Sequence, residues 1–397
     1  MSDTQTRGAI PEGTWELPHE LQLLGQTVAD FVRKEILPEE AKLDTEAYKL
    51  PPDVLARVQA DAKAAGLWCV QTPEEHGGAG LSLLAQCVVA EEAAKCRMGA
   101  YVPAGAAFGW DPPNVIFKGT QDQIDRYANP DVLGEKTYVA ISEPNGGADP
   151  GRSIQSTAKR DGDHYILNGQ KTWITGGDAS RWGVVFARTG GPGRKGISCF
   201  VVEPEWEGVT VETIPVIRPL SPVEMFFDNV KVPVENLLGE EGRGFELAES
   251  WLVHGRVPYA AGTIGVAQAA LQMAIDYSKE RSTFGKRLAQ RQAIQWMLAD
   301  SDIELRAARL LTYQAAWKAD AGKNYKLEAS IAKVYATETA GRVVDRAMQV
   351  LGGMGVAKEL PLERWYREMR IKRIGEGPSE IHRMVIAREL LGAAAKD

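Results

Sequence analysis

The spacing of apolar residues predicts helices over the first third of the chain. Between residues 21 and 37, Leu, Val, Phe and Ile side chains recur every three or four positions, until Pro38 ends the pattern. Pro51 and Pro52 introduce a second helical pattern, and residues 81–96 and 120–128 carry two more. This periodicity predicts an all-helical domain over residues 1–134.

A different pattern begins at Tyr138. Short stretches rich in β-branched and aromatic residues alternate with turn sequences such as Asp161-Gly162 and Asn168-Gly169, which favour hairpins. After residue 244, long amphipathic patterns return over residues 261–281, 294–320 and 327–351. We therefore predict an α+β protein: a helical domain (1–134), a small β-barrel or β-sandwich domain (135–244) and a four-helix bundle (245–397).

Composition narrows the function classes. The chain has 397 residues, 44% of them hydrophobic, and a net charge of −7, so it has no overall basic character for nucleic acid or an anionic membrane. Its four cysteines and five histidines show no metal-ligand spacing, and we expect no metal and no disulfide. The amino terminus lacks a signal peptide, and no apolar run reaches spanning length. We predict a cytoplasmic bacterial protein or a soluble organellar one.

One acidic residue near the carboxyl end has an unusual setting. Glu376 lies between Gly375 and Gly377, so a flat ligand can approach its backbone closely, and Pro378 begins a helix that anchors the loop. An acid at a helix start also complements the helix dipole, and for an isolated Glu-Gly-Pro triplet that is the commoner role. Sequence motifs elsewhere in the chain favour the functional interpretation.

Seven motifs, in order along the chain, resemble the acyl-CoA dehydrogenase family, flavoproteins that desaturate acyl-CoA thioesters between the α and β carbons. A single one would be weak evidence, whereas the ordered set is specific. The motifs are PEEHGGAGLS (73–82), YVAISEPNGGAD (138–149), LNGQKTWITGG (167–177), NVKVPVENLLGEEGRGF (229–245), RSTFGK (281–286), QVLGGMG (349–355) and the Glu376-Gly377 pair.

The resemblance implies catalytic and substrate-binding roles. Glu376 matches the base that removes the α proton, and its own backbone N–H matches a donor to the thioester oxygen. Gly377 is implied as a substrate contact, and Arg256 matches an arginine that orients the base. Some family members carry the base one residue before that arginine, but here the position is Gly255, which has no acidic side chain.

The resemblance also implies FAD as the cofactor. Two strand segments match contacts to the flavin ring, and a third set matches contacts to the adenine and pyrophosphate of a neighbouring subunit's FAD. Sharing of the cofactor implies a homo-oligomer, usually a tetramer. The ring contacts are Tyr138, Ala140, Ile141, Ser142, Trp173 and Thr175. The contacts to the neighbour's FAD are Arg281, Phe284, Gln292, Gln349 and Gly353.

Several positions depart from the family pattern. Ala148 replaces a serine that touches flavin phosphate or substrate, and Pro378 and Glu380 stand where the family has Thr or Ser and Gln. The segment PVIRPLSPVEM before Phe226 is shorter than the usual form and lacks its G-x-R pattern. A basic run also follows the bundle, and we expect it to be a solvated helix face paired with Glu363 and Glu368. The run consists of Arg364, Arg367, Arg370, Lys372 and Arg373.

The implied activity is α,β-dehydrogenation of an acyl-CoA thioester, with electrons passed to an electron-transfer flavoprotein. An acyl-CoA oxidase and an enoyl-CoA reductase remain alternatives, because oxygen access and reaction direction are not readable from these residues. A flavin monooxygenase is disfavoured by the presence of Glu376. A DNA-associated relative is disfavoured by the acidic composition.

Overall fold

The computed structural model describes residues 16–129 and 131–395, and the predicted absence of a signal peptide concerns residues 1–15, outside this range. The elements fall into three consecutive blocks: helices, then a sheet, then helices. The predicted α+β class with separate helical and β regions is confirmed. Within the described residues, no helix is both long enough and apolar enough to cross a bilayer.

The first block is helical. Helix α1 continues through a π-helical turn, Val32–Ile36, directly into α2, and residues such as Val28, Ile36 and Val58 pack its core. Short 3-10 turns join the remaining helices. The helices are α1 (His19–Phe31), α2 (Leu37–Glu40), α3 (Pro52–Ala64), α4 (Leu83–Ala93) and α5 (Gln121–Tyr127).

The second block forms one eight-stranded sheet together with the short helix α6 (Pro150–Ser153). Its main strand order is β6-β7-β3-β2-β4-β5-β8, and β1 pairs in parallel with β4. The β3–β7 ladder shifts register between Lys171 and Ile174, so Trp173 takes a left-handed conformation and points outward. The strands are β1 (Thr137–Ala140), β2 (Thr157–Asp161), β3 (His164–Ile174), β4 (Trp182–Arg188), β5 (Ile197–Val202), β6 (Val209–Thr213), β7 (Val223–Pro233) and β8 (Leu237–Leu238).

The third block is built around α9, which packs against α7, α8, α11 and α12. Alanines at the helix contacts, such as Ala261, Ala308 and Ala336, let the backbones approach closely. Helix α4 of the first block also packs on α7 and α8, which fixes the two helical blocks together. The elements are α7 (Gly244–Glu280), β9 (Ser282–Thr283), β10 (Lys286–Arg287), α8 (Gln292–Asp320), α9 (Lys326–Leu351), α10 (Gly353–Val356), α11 (Leu362–Lys372) and α12 (Ser379–Leu391).

The basic run on α11 differs from the expectation. Arg367 does pair with Glu363 at 2.9 Å, but Arg364, Glu368 and Lys372 are buried rather than solvated. Arg364 donates to the carbonyl of Ala47 at 2.7 Å. The prediction was wrong for these three residues because α11 is covered by the amino-terminal block on one side and by α9 on another.

A buried ion pair connects the segment after β1 to strand β3. Lys171 on β3 is fully buried, and its Nζ donates to Glu143 Oε1 at 2.8 Å and to the Ile141 carbonyl at 3.2 Å. Burial lowers the pKa of Lys171 to about 8, against the opposing charge of Glu143. Glu143 also accepts from the amides of Gln155 and Ser156. The pair therefore holds residues 141–143 against β3.

We predict that Lys171→Met lowers the free energy of unfolding by about 3–5 kcal/mol, because it leaves the buried Glu143 carboxylate without its cation. Urea unfolding at pH 7 measures the change. Lys159→Met on exposed β2 is the matched control and should change stability by less than about 0.5 kcal/mol. Equal losses in the two variants would contradict a structural role for the pair.

Candidate active site

The loop between α11 and α12 carries Glu376 in an unusual backbone conformation. Glu376 has φ 58° and Gly377 has φ 92°, two successive residues in the left-handed region. A non-glycine residue there costs about 1–3 kcal/mol unless its surroundings hold it. Glu376 is therefore kept in place by its contacts rather than by its own preference.

Three buried side chains from three helices bind the carbonyls of this loop. Arg256 on α7 donates its Nε–H to the Glu376 carbonyl at 3.2 Å, and His382 on α12 places Nε2 3.2 Å from the same oxygen. Lys333 on α9 donates to the Gly377 carbonyl at 2.6 Å and to that of Arg373 at 3.4 Å. These bonds fix the loop from three directions.

Glu376 is half-buried, and its Oε2 is buried without a hydrogen-bond partner among the described residues. Burial raises the pKa of Glu376, against the opposing charges of Arg256, Lys333 and Lys372. Burial also lowers the pKa of Lys333 to about 7 and that of His382 to about 3. His382 is thus neutral at pH 7, and its Nε2–H donates to the Glu376 carbonyl.

Both glycines beside Glu376 border protein atoms. A Cβ on Gly375 would lie 2.6 Å from the Tyr259 hydroxyl, and one on Gly377 would lie 3.2 Å from His382 Nε2. The missing side chains therefore leave room for Tyr259 and His382, while both glycines also line the large cavity beside Glu376. A Cβ on Gly255 would lie 3.9 Å from Glu376 Oε2, so the alternative base position of the family faces the same carboxylate.

A cavity of about 1760 Å³ opens onto Glu376 and is lined by all three blocks of the chain. A single drug-sized ligand occupies roughly 300–1,000 Å³, so this volume accommodates two large ligands together. Tyr101, Tyr259 and Arg256 are among its lining residues. So are the exposed basic side chains Arg194, Lys195 and Arg388, which suit a phosphate-bearing ligand.

Five of the six predicted flavin-ring residues line this cavity: Ser142, Trp173 and Thr175 are exposed or half-buried, whereas Tyr138 and Ile141 are buried. Trp173 is 60% exposed, an unusual exposure for a tryptophan on a strand. Tyr138 also borders the cavity, but its side chain is buried and donates to the Val202 carbonyl at 2.9 Å. Ala140 lies in the sheet core and does not line the cavity, so its side chain offers no cofactor contact.

The second predicted set lies outside the cavity. All five members are exposed at the surface of the bundle, and Phe284 is 98% exposed with φ 49°. Their contact with a neighbour's FAD stays a prediction. The residues are Arg281, Phe284, Gln292, Gln349 and Gly353.

Sequence patterns missed several residues around Glu376. Lys333, Tyr259 and Tyr101 were not singled out, although all three lie close to Glu376 or its loop. Lys333 could have been recognised from the sequence. It lies on the alanine-lined, buried face of α9, where a lysine needs hydrogen-bond partners inside the protein.

The chain belongs to the acyl-CoA dehydrogenase family. Family models for the acyl-CoA dehydrogenase N-terminal, middle and C-terminal domains match residues 18–135, 139–230 and 242–391. The mitochondrial short-chain specific acyl-CoA dehydrogenase of Bos taurus is 40% identical over 95% of this chain and 91% of that protein. The 3-(aryl)acrylate reductase of Clostridium sporogenes is 38% identical over 93% and 98%.

Solved structures agree with this assignment. Butyryl-CoA dehydrogenase from Megasphaera elsdenii superposes with a TM-score of 0.85 at 34% identity, covering 95% of this chain and 100% of that chain. A chain from the structure of the electron transferring flavoprotein of Acidaminococcus fermentans gives 0.86 at 34%, covering 96% and 100%. The FAD complex of PigA gives 0.86 at 25%, covering 95% and 99%. The predicted family, enzyme class and FAD cofactor are confirmed at the level of the family.

We predict that Gly377→Ala destabilises the protein more than Gly322→Ala. Both glycines have positive φ, so both changes cost about 1–2 kcal/mol of backbone energy, but only at Gly377 does the new Cβ crowd His382 and Arg256. Thermal unfolding of the two variants measures the difference. Equal shifts of the unfolding temperature in the two variants would mean that the loop moves to accommodate the new Cβ and is not held by its neighbours.

Proposed function

We propose that this protein is an FAD-dependent dehydrogenase of short-chain acyl-CoA thioesters, which it converts to trans-2-enoyl-CoA. The observation that carries the proposal is the position of Glu376 on the wall of a cavity large enough for cofactor and substrate, with a carboxylate oxygen, Oε2, that has no partner among the described residues. Relatives named as short-chain dehydrogenases support the size class of the acyl group.

The chain supplies the groups that move the proton. Glu376 Oε2 accepts the α proton of the thioester, and its raised pKa makes it a stronger base than an exposed carboxylate. The Glu376 amide N–H has no acceptor among the described residues and suits the thioester oxygen, where enolate charge develops. Arg256, Lys333 and His382 hold this loop, so carboxylate and amide keep their relative positions.

The residues that line the cavity fit a flavin. Trp173, Thr175, Ile141 and Ser142 would hold its ring, and Trp173 offers an exposed aromatic surface for a planar partner. When bound, FAD supplies the hydride acceptor for the β carbon.

The electron partner and the direction are further parts of the proposal. The match to a structure of an electron transferring flavoprotein supports such a flavoprotein as the acceptor. A second candidate function is reduction of an enoyl or acrylate thioester, which the relative named 3-(aryl)acrylate reductase favours. Both directions use the same Glu376, which releases its proton to the α carbon in the reductive one.

A homo-oligomer is supported by α8. Four large apolar residues recur at seven-residue intervals on this helix and are 45–64% exposed, a stripe that one chain leaves uncovered. A second copy of the chain would bury this stripe and bring a partner close to Phe284, as the predicted shared cofactor site requires. The stripe consists of Trp296, Ile303, Leu310 and Trp317.

We predict that Glu376→Gln keeps FAD but loses at least about a hundredfold in turnover, because glutamine cannot accept the α proton. Bleaching of the flavin by butyryl-CoA under anaerobic conditions measures the rate, and the absorbance ratio measures FAD content. Glu380→Gln, an exposed change on α12 just after the Glu376 loop, is the control and should keep the wild-type rate.

A second variant, at the neighbouring Gly255, tests the same assignment of the base. A carboxylate introduced at Gly255 would reach the position that Glu376 Oε2 now occupies, so the double change Gly255→Glu with Glu376→Gly should recover part of the lost rate. Wild-type bleaching by Glu376→Gln would overturn the assignment of the base.

We predict that Leu310→Asp yields a smaller assembly than the wild type, because an aspartate cannot be buried in an apolar interface without a partner. Light scattering coupled to size-exclusion chromatography measures the mass. Leu23→Asp, on α1, is the matched control, since Leu23 is 49% exposed and Leu310 is 45% exposed. An unchanged mass for Leu310→Asp would exclude α8 from the interface.

A further inference from the structure

Lys333, on α9, is a fully buried lysine with no carboxylate within salt-bridge distance among the described residues. Its Nζ donates instead to two backbone carbonyls, that of Gly377 at 2.6 Å and that of Arg373 at 3.4 Å. One of these carbonyls precedes Glu376 and the other follows it, so a single ammonium connects the two ends of the loop that carries the base. A buried ammonium loses its hydration, which is costly. A neutral donor would hold the same carbonyls at a lower cost, so the charge itself needs an explanation.

The same helix holds the outer side of the loop with a second residue. Glu338, five positions after Lys333, accepts from Arg383 at 2.7 Å and lies 3.8 Å from Arg373. The two arginine side chains are 43–56% exposed, so water screens these ion pairs. The charge of Glu338 is not among those that alter the pKa of Glu376. Glu338 therefore anchors the loop without acting on the base, whereas Lys333 does both.

Charged and titratable groups from several elements face Lys333. Burial lowers the pKa of Lys333 to about 7, and the negative charge of Glu376 is the main effect that opposes it. The nearby cations lower this pKa further, and Glu338 raises it. The neighbouring phenol and imidazole are neutral at pH 7, since burial raises the pKa of the first and lowers that of the second. The groups are Arg256 and Tyr259 on α7, Glu338 on α9, Lys372 on α11, Glu376 on the loop and His382 on α12.

Lys333 and Glu376 each stabilise the charged form of the other. The ammonium lowers the pKa of Glu376, and the carboxylate raises the pKa of Lys333. Protonated Lys333 also forms a charge-assisted bond to the Gly377 carbonyl, about twice as strong as a bond from a neutral amine. Because Glu376 and Gly377 both have positive φ, the loop depends on such contacts to keep its shape. Loss of the Lys333 proton therefore weakens the hold on the base.

We propose that Lys333 is a positioning residue for the reaction and acts through its charge: removal of the α proton requires an ionised Glu376 and a protonated Lys333. This inference rests on the proposed function of the same site. As the pH falls, Glu376 takes up a proton and can no longer accept one from the substrate. As the pH rises, Lys333 loses its proton, and the loop loses the charge-assisted bond that fixes its backbone. The rate therefore falls on both sides of neutral pH.

The pH dependence of flavin reduction tests the proposal. The value of kcat/KM for reduction by butyryl-CoA, measured under anaerobic conditions over roughly pH 5.5–9.5, reports the titrating groups of the free enzyme. The holoenzymes compared are the wild type, Lys333→Met, which removes the charge, and Lys333→Arg, which keeps a charge that does not titrate in this range. FAD content and thermal unfolding are measured on the same preparations.

We expect a bell-shaped profile for the wild type. Lys333→Met should move the acidic limb upward by about one pH unit, because Glu376 loses a neighbouring cation, and should lower kcat/KM at pH 7 about tenfold. Lys333→Arg should keep the acidic limb and lose the alkaline one. Glu338→Gln is the control: it breaks the surface ion pairs with the loop and should leave the acidic limb in place.

Two results would contradict the charge requirement. A wild-type rate that stays constant above neutral pH would overturn the proposal without any variant. An acidic limb in Lys333→Met that coincides with that of the wild type would also overturn it and make Lys333 a purely structural anchor. Lys333→Gln, which keeps an amide donor, takes the place of Lys333→Met where the methionine variant does not retain FAD.

Acetoacetyl-CoA separates this proposal from the proposed dehydrogenation. Its β carbon is a carbonyl and has no hydride to give, so only the α proton leaves, to Glu376, and the enolate is measured by its ultraviolet absorbance. If butyryl-CoA does not reduce the flavin of the wild type, the dehydrogenation fails. The pH dependence of enolate formation in the wild type and Lys333→Met then still decides the role of Lys333, and equal acidic limbs would overturn it.

Discussion

The site depends on one costly arrangement: a carboxylate taken out of water with an oxygen left unpaired. Burial of such a group raises its pKa and would drive it towards the neutral acid. Arg256, Lys333 and Lys372 oppose that change through their charges, and none of them forms a hydrogen bond with the carboxylate. Burial has the larger effect, so the pKa of Glu376 stays raised, and its Oε2 has no hydrogen-bond partner among the described residues.

Arg256 and Lys333 donate their hydrogen bonds to backbone carbonyls of the loop and not to the carboxylate. If Lys333 paired directly with Oε2, the ion pair would lower the basicity that the reaction needs. By donating to the Gly377 carbonyl instead, Lys333 supplies a favourable field and holds the left-handed backbone. Because these donors come from α7, α9 and α12, the base is positioned only when the whole bundle is packed.

Local patterns were sufficient for the architecture and for the base, because helical period, strand alternation and the Glu376 motifs are short-range signals. The surroundings of Glu376 were not predictable in the same way. On α11, Arg364 and Lys372 were predicted to be solvated, but both are buried. The charge pattern of a single helix does not show that other elements cover more than one of its faces. Lys333 and Tyr259 lie far from Glu376 in sequence, and only the tertiary packing of α7 and α9 against the loop brings the three together.

Gly375 leaves room for a neighbouring side chain. The space that its missing Cβ leaves is filled by the phenol of Tyr259, from a helix more than a hundred positions earlier in the chain. A large side chain at residue 375 would exclude Tyr259, and a small residue at 259 would leave a void beside the base. The two positions are therefore coupled through packing: the glycine makes room for the phenol, and the phenol fills the space beside the loop that carries the base.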